Sequence, residues 1–378
     1  MKKLFPWILL LTVVVSLLLV WMFWPKPPIL VGFLGTMSGR LSDLGISNRR
    51  GVEFAVAEVN ARGGIQGRQI QLVSLDDAND PELVHSQFAK LVAQRVVAVL
   101  GPVTSTMASE VIPLANKQQV LVMGTTVSSN ALSGLDDFFL RVTPPNRAIV
   151  EELVQLLLKR NVKRVCVVAD SSNPTYSVDW LSQFSELFAR FGGQVQRSSF
   201  FLSGEENSLE TAVEEVMAEE PSSVMVLGGA IDSALICQEV RQRNDSVFLV
   251  GTGWAFKPEF LEYGGKTVEG FLLNGNMDPG HSSEGYLRVA RDFRERYGVQ
   301  LDFASKAGYD AAGILFFALE KTRDLSASSL KKAILEEKVF EGLQQQISLD
   351  TFGDPDFPPM FFQVQNGQFV RLDTREAQ

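Results

Sequence analysis

The chain has 378 residues, 46% of them hydrophobic and 21% charged, the balance of a folded globular protein and not of a disordered one. That length exceeds the roughly 250–300 residues at which single cores stop growing, so more than one compact lobe is expected. A net charge of −9 with a pI near 5.0, and no Lys/Arg-rich run, excludes a nucleic-acid partner, whose phosphates require a basic surface.

Met1-Lys2-Lys3 precedes an apolar stretch from Trp7 to Trp24 that only Thr12 and Ser16 interrupt. As a helix it would measure about 27 Å, close to the thickness of a bilayer's hydrocarbon core. The two lysines place its start in the cytoplasm and the rest of the chain outside. The stretch ends in Trp21-Met22-Phe23-Trp24-Pro25, without the small residues that signal cleavage prefers. The expectation is therefore one uncleaved transmembrane anchor, with a cleaved signal peptide as the alternative. Either way the body is exported, with residues 1–28 as anchor or signal and spacer.

A regular α/β alternation follows. Ile29 to Leu34 is a continuous apolar strand of the kind buried on both faces of a parallel sheet. Helical spacing predicts a helix over Asn48–Arg62, stopped by Gly63-Gly64. Ile70 to Leu75 is the next strand, and Asp80-Pro81 reads as an N-cap and first position of the next helix. Strands are predicted at Val96–Leu100 and Val120–Met123, with a helix over Thr104–Lys117 between them. A second series has strands at Arg164–Ala169, Val195–Phe200, Val224–Leu227 and Phe248–Val250. Near the end, Asn366-Gly367 between Met360–Val364 and Phe369–Leu372 signals a two-residue hairpin. Strands alternating with helices imply parallel sheets covered on both faces.

Several motifs then carry a family resemblance. Glu58-Val59-Asn60-Ala61-Arg62-Gly63-Gly64-Ile65-Gln66-Gly67-Arg68 is followed by Asp76-Asp77 and Asp80-Pro81. Met37-Ser38-Gly39, Gly101-Pro102-Val103-Thr104-Ser105, Gly228-Gly229, Gly308-Tyr309-Asp310-Ala311 and the stretch from Asp350 to Gly353 complete the set. In this order and spacing the sequence resembles the leucine/isoleucine/valine-binding type I periplasmic binding proteins. The resemblance implies two doubly wound parallel-sheet α/β lobes joined by three crossings, with the ligand in the cleft between them. Lobe one would take residues 29–147 and 276–335, and lobe two 148–275 and 336–378. Captured solute, an amino acid or a related small carboxylate or amide, would pass to an inner-membrane ABC permease; a tethered sensing subunit signalling to a membrane partner is the alternative.

In an open α/β sheet, ligands bind beyond the carboxyl ends of the strands. Two turns qualify. Gly101 to Ser105 leads into a helix whose N-terminus suits a carboxylate. Gly124-Thr125-Thr126-Val127-Ser128-Ser129 follows the neighbouring strand, although helix capping alone would also account for such Ser and Thr residues. The resemblance assigns Ser105 and Ser128 to an amino acid's α-carboxylate, Thr126 to a backbone-carbonyl contact, and Tyr176 to an aromatic cover. Val127, Ala230 and Trp254 complete the candidate set. The chain departs from the family pattern where its first-lobe aromatic becomes Leu44 and its second-lobe aromatic falls near Ala230 or Ile231. The acid that would pair with an ammonium falls at Gly253, so Asp232, or the ring face of Trp254, is left to meet any cation.

Catalysis finds no support. Adjacent Asp76 and Asp77 point to opposite faces and read as turn residues. The only histidines are His85 and His281, too few for a triad beside Gly280-His281-Ser282-Ser283-Glu284-Gly285. No dinucleotide or P-loop glycine motif occurs, and Cys166 and Cys237 are expected to be buried free thiols. No cofactor or metal is expected.

Overall fold

The computed structural model describes residues 26–373. The anchor expected at residues 7–24 lies outside the described residues; among those described, no helix is long and apolar enough to cross a membrane.

The first unit alternates β1 (Ile29–Gly35), α1 (Ser42–Ala61), β2 (Ile70–Asp76), α2 (Pro81–Ala93), β3 (Ala98–Leu100), α3 (Ser105–Gln118), β4 (Leu121–Gly124) and β5 (Phe139–Arg141). These strands form one sheet in the order β2-β1-β3-β4-β5, each neighbouring pair parallel. Burial on both faces explains the unbroken apolar runs: Val31, Phe33, Leu100, Val122 and Met123 are all fully buried. Helix α1 begins six residues before the predicted start. Its first turns contain Gly45, where a methyl group would lie 1.7 Å from the Thr36 carbonyl oxygen. Close packing thus put a poor helix former where a periodic signal would have appeared. Other local signals hold. Asp80 caps α2 by accepting from the Glu82 and Leu83 amides, and Gly63 and Gly64 take positive φ past the end of α1.

The chain then crosses into α4 (Arg147–Lys159), β6 (Arg164–Asp170), α5 (Pro174–Arg190), β7 (Gln194–Phe201), α6 (Ser208–Met217), β8 (Ser223–Leu227), α7 (Ala230–Arg243), β9 (Phe248–Gly251), α8 (Pro258–Gly264) and β10 (Leu272–Gly275). It returns for α9 (Glu284–Tyr297), α10 (Phe303–Lys321) and α11 (Ala327–Glu337). Three short strands, β11 (Val339–Glu341), β12 (Gln346–Leu349) and β13 (Pro355–Asp356), make a separate antiparallel sheet. Finally β14 (Met360–Gln365) and β15 (Gln368–Arg371) join the second sheet, ordered β15-β14-β10-β9-β8-β6-β7. Asn366 and Gly367, with φ of 53° and 71°, supply the positive angles that the β14–β15 turn requires. Cys166 and Cys237 are buried and unpaired.

The late helix α10 is recruited to the first unit by glycine. It packs along α1, where a methyl on Gly51 would lie 1.9 Å from the Ser305 carbonyl oxygen, and one on Gly308 2.3 Å from that of Asn48. Backbone cannot yield as a side-chain tip can. Gly308→Ala should therefore destabilise the protein by about 2 kcal/mol, read as a lower urea midpoint at unchanged m-value. An unchanged midpoint would show that the helices separate without cost.

Candidate functional site

The carboxyl ends of both sheets face a narrow space between the two units. Its first wall comes from the turns after β3 and β4, with Val103, Ser105, Thr126 and Ser128, joined by Leu44 of α1. The opposite wall comes from the second unit, with Asn173, Tyr176, Gly253 and Trp254. The crossings close one end through Asn146, Ile149, Asn274 and Asn276.

Of the residues singled out from sequence, Ser105, Thr126, Ser128, Tyr176 and Trp254 line this cavity together. Val127 and Ala230 do not. Val127 is fully buried in the core of the first unit, and Ala230, 2% exposed, opens α7 facing the core of the second. Asp232 turns away as well. One carboxylate oxygen lies 2.5 Å from Arg40 Nη2, and the other accepts from the Ser203 hydroxyl at 2.5 Å. Cavity residues that the sequence reading passed over are Asn146, Asn173, Asn274 and Asn276. Asn173 lies three residues before Tyr176 in the same stretch, whereas Asn146 follows β5 and Asn274 lies within β10, neither of which was predicted as a strand.

The polar groups are unevenly occupied. Thr126 Oγ1 donates to the Val103 carbonyl at 2.5 Å, so its hydroxyl ties the two turns together. Ser105 Oγ accepts a long 3.4 Å bond from the Ser129 amide. Among the described residues, neither the Ser105 hydroxyl nor its amide donates to any group, and the Ser128 hydroxyl has no partner. Asn146 donates its backbone N–H to the Ser128 carbonyl at 2.9 Å, while its buried Nδ2 has no partner at all. A buried donor left unpaired costs roughly 1–3 kcal/mol unless something else accepts from it. These groups line one cavity as available donors beside the N-terminus of α3, its positive end.

Aromatic rings cover that cavity. Tyr176 and Trp254 meet edge-to-face with centroids 5.4 Å apart, and burial pushes the Tyr176 phenol above its ordinary range, keeping it neutral. At the position of the family's acid, a methyl on Gly253 would lie 2.8 Å from Nδ2 of Asn274, whose Oδ1 accepts the Gly253 amide at 2.8 Å. An uncharged amide fills that place. None of the described residues lining the cavity is charged.

Polar contacts hold the two units together around the cavity. Asn173 Oδ1 accepts from the Thr106 amide and hydroxyl at 3.1 and 3.0 Å, and Asn79 Nδ2 donates to the Ser172 carbonyl at 2.8 Å. Asp179 accepts from the Asn130 amide at 2.8 Å, and Lys257 Nζ lies 2.7 Å from Asp43. Asp77, fully buried, accepts from Thr36 and the Asn79 amide, while Asp76 accepts from the Met37 and Ala78 amides, so both serve as turn residues.

At the end of β6, Asp170 is fully buried and its pKa is raised to about 6, chiefly by burial and further by Asp232, against hydrogen bonds from Ser172 and Ser203. The folded state thus holds its proton more tightly than the unfolded chain does. Its contribution to stability is greatest below about pH 4 and is lost as pH rises through 6. Asp170→Asn should flatten that part of the profile when urea midpoints are compared from pH 4 to 7; parallel profiles would exclude this titration.

Known proteins show the same architecture. The leucine-binding protein LivK of Thermotoga maritima superposes with a TM-score of 0.81 at 24% identity, covering 91% of this chain and 98% of its own. A solute-binding protein of an ABC transporter from R. palustris, solved with benzoate, superposes at 0.82 with 18% identity, covering 91% of this chain and 95% of its own. A Leu/Ile/Val-binding protein homologue of Brucella abortus is 23% identical over 333 residues, 80% of each chain. The sequence profile of the periplasmic binding proteins matches residues 28–368, and the chain belongs to that family.

Proposed function

We propose that this protein is an extracytoplasmic solute-binding subunit that captures a small carboxylate or amide between two hinged lobes and delivers it to an ABC permease. The lobes are residues 29–147 with 276–356, and 148–275 with 357–373; the third crossing lies past the expected 335/336 boundary, because the segment of β11 to β13 bonds to Asp310 and Arg141 of the first unit. The carrying observation is the uncharged cavity that Ser105, Ser128 and the unpartnered Asn146 amide line beside the N-terminus of α3. Hydrogen bonds to an ionised acceptor contribute roughly 1.5–3 kcal/mol each, enough for two or three to hold a carboxylate. With no acid in the wall, an ammonium would be buried without a counter-charge, which disfavours free α-amino acids against acids and amides lacking that group. Trp254 and Tyr176 cover the ligand, and ligand contact from both walls favours the closed form. The site binds and carries out no reaction. The apolar segment at residues 7–24 anchors the protein in the inner membrane, facing the permease.

The test is a thermal-shift screen of the full chain in mild detergent against carboxylates, amides and amino acids. A ligand at 100 times its Kd adds about 2.7 kcal/mol of stability. Ser105→Ala and Asn146→Ala should each weaken a hit about 10- to 100-fold. Binding unchanged in both variants rejects this site.

A further inference from the structure

The cleft cavity is small for a whole solute. Its enclosed free volume is about 40 Å³. A single water needs roughly 10–15 Å³ of such space, so the enclosed part fits about three heavy atoms, the size of a carboxylate group. On the far side of Ile149, Asn274 and Asn276, which belong to both walls, lies a second space of about 560 Å³. No hydrogen bond holds the Asn276 side chain among the described residues.

This second space sits where the chain crosses between the units. Pro144 and Pro145 bring the first crossing, Gly275 and Asn276 the second, and Phe357 to Met360 the third. Its apolar lining is formed by Pro144, Ile149, Phe357, Pro359 and Met360. Three carboxylates also line it: Asp350, Asp356 and Asp354, the last paired with Arg141 at 2.6 Å, while Arg147 is paired with Glu151 at 3.1 Å. A space lined by these apolar side chains and by carboxylates accepts a neutral tail and disfavours a second anionic group.

We infer that the cleft and this hinge-side recess form one two-part site for an amphipathic monocarboxylate. The head bonds to Ser105, Ser128 and Asn146. An alkyl or aryl tail passes Asn276 into the recess between the crossings. The inference rests on the proposed cleft function and adds the ligand's shape and class to it. Because the recess is walled by all three crossings, tail length also bears on how far the lobes close.

The experiment is calorimetric titration of the full chain in mild detergent with two series: propanoate, butanoate, hexanoate and octanoate, and phenylacetate, 3-phenylpropanoate and 5-phenylpentanoate. Each methylene entering the recess should tighten binding about threefold to fourfold. Glutarate and adipate should bind no better than propanoate. Phe357→Asp should flatten the length gradient, and Ser105→Ala should weaken every member of both series. Affinity that is flat or falling with length, while the short acids bind and respond to Ser105→Ala, overturns the two-part site and leaves the cleft reading standing. If no member of either series binds, both fail. The wild-type gradient needs no variant, so a misfolded Phe357→Asp protein would not obscure the result.

Discussion

Asp354→Ala is expected to destabilise the protein by about 3–5 kcal/mol, because it strands a guanidinium that has no water to turn to. The Arg141 side chain is fully buried, and its Nε lies 2.6 Å from Asp354 Oδ1. Its other nitrogens donate to the Ser129 carbonyl at 2.8 Å and to the Ser133 hydroxyl. Burial draws the Arg141 pKa below the usual arginine value, and the adjacent Asp354 opposes that shift more than any other group. Without the acid, only neutral acceptors remain around a full positive charge. Asp354 also accepts the Gly134 amide at 2.8 Å, so the lost carboxylate frees that loop too. Asp354→Asn keeps an acceptor and should fall between the two; Arg141→Met removes the buried charge and should cost less than Asp354→Ala. Urea unfolding of the three variants gives the order, and an Asp354→Ala loss under 1 kcal/mol would exclude the pair as a clamp.

That pair also shows what the sequence could and could not reveal. Arg141 ends β5 and Asp354 precedes β13, strands of three and two residues that carry no distinct periodic signal. The antiparallel strands β11 to β13 were invisible for the same reason. Yet the Gly353 carbonyl accepts from the Arg141 amide at 3.1 Å, binding this segment to the first sheet. Long parallel strands such as β1 and β6 were legible because both of their faces are buried, which writes an unbroken apolar run into the sequence. The hairpin at Asn366-Gly367 and the cap at Asp80 were legible because their backbone angles and orphan amides need those residue types. In the site, Ser105 and Ser128 could be found because they sit in turns at strand ends. Asn146 could not, because its meaning comes from an unpaired Nδ2 that only packing creates. Val127 shared a turn with Ser128, but successive residues there point to opposite sides, one to the core and one to the cleft.

Lys257→Met should weaken ligand binding about 30- to 1,000-fold while leaving each unit folded. Lys257 belongs to the second unit, and its side chain is 3% exposed, with Nζ 2.7 Å from Asp43 and 3.6 Å from Asp302 of the first. Burial alone would lower its pKa, but Asp302, Asp43 and Glu259 outweigh burial and hold it above the ordinary lysine value, firmly charged. When the units part, both partners regain water; when they close, each depends on the other. The pair therefore acts on the open–closed equilibrium more than on folding. Truncating one partner of a desolvated charge pair across an interface typically costs about 2–5 kcal/mol. Asp302 retains the Ser47 hydroxyl and the Ser305 amide, and Asp43 is partly exposed, which places the loss in the lower part of that range. A closed state made rarer by 2–4 kcal/mol lowers apparent affinity by the same factor, since only that state completes the cavity wall. Calorimetry should show the weaker Kd, and solution scattering of the ligand-free variant should show a larger radius of gyration. A Kd within threefold of wild type would instead assign closure to Arg40–Asp232 and to the Thr106–Asn173 contacts. Removing Asp43 and Lys257 together distinguishes the cases, because coupled partners lose far less in the double variant than the sum of the single losses.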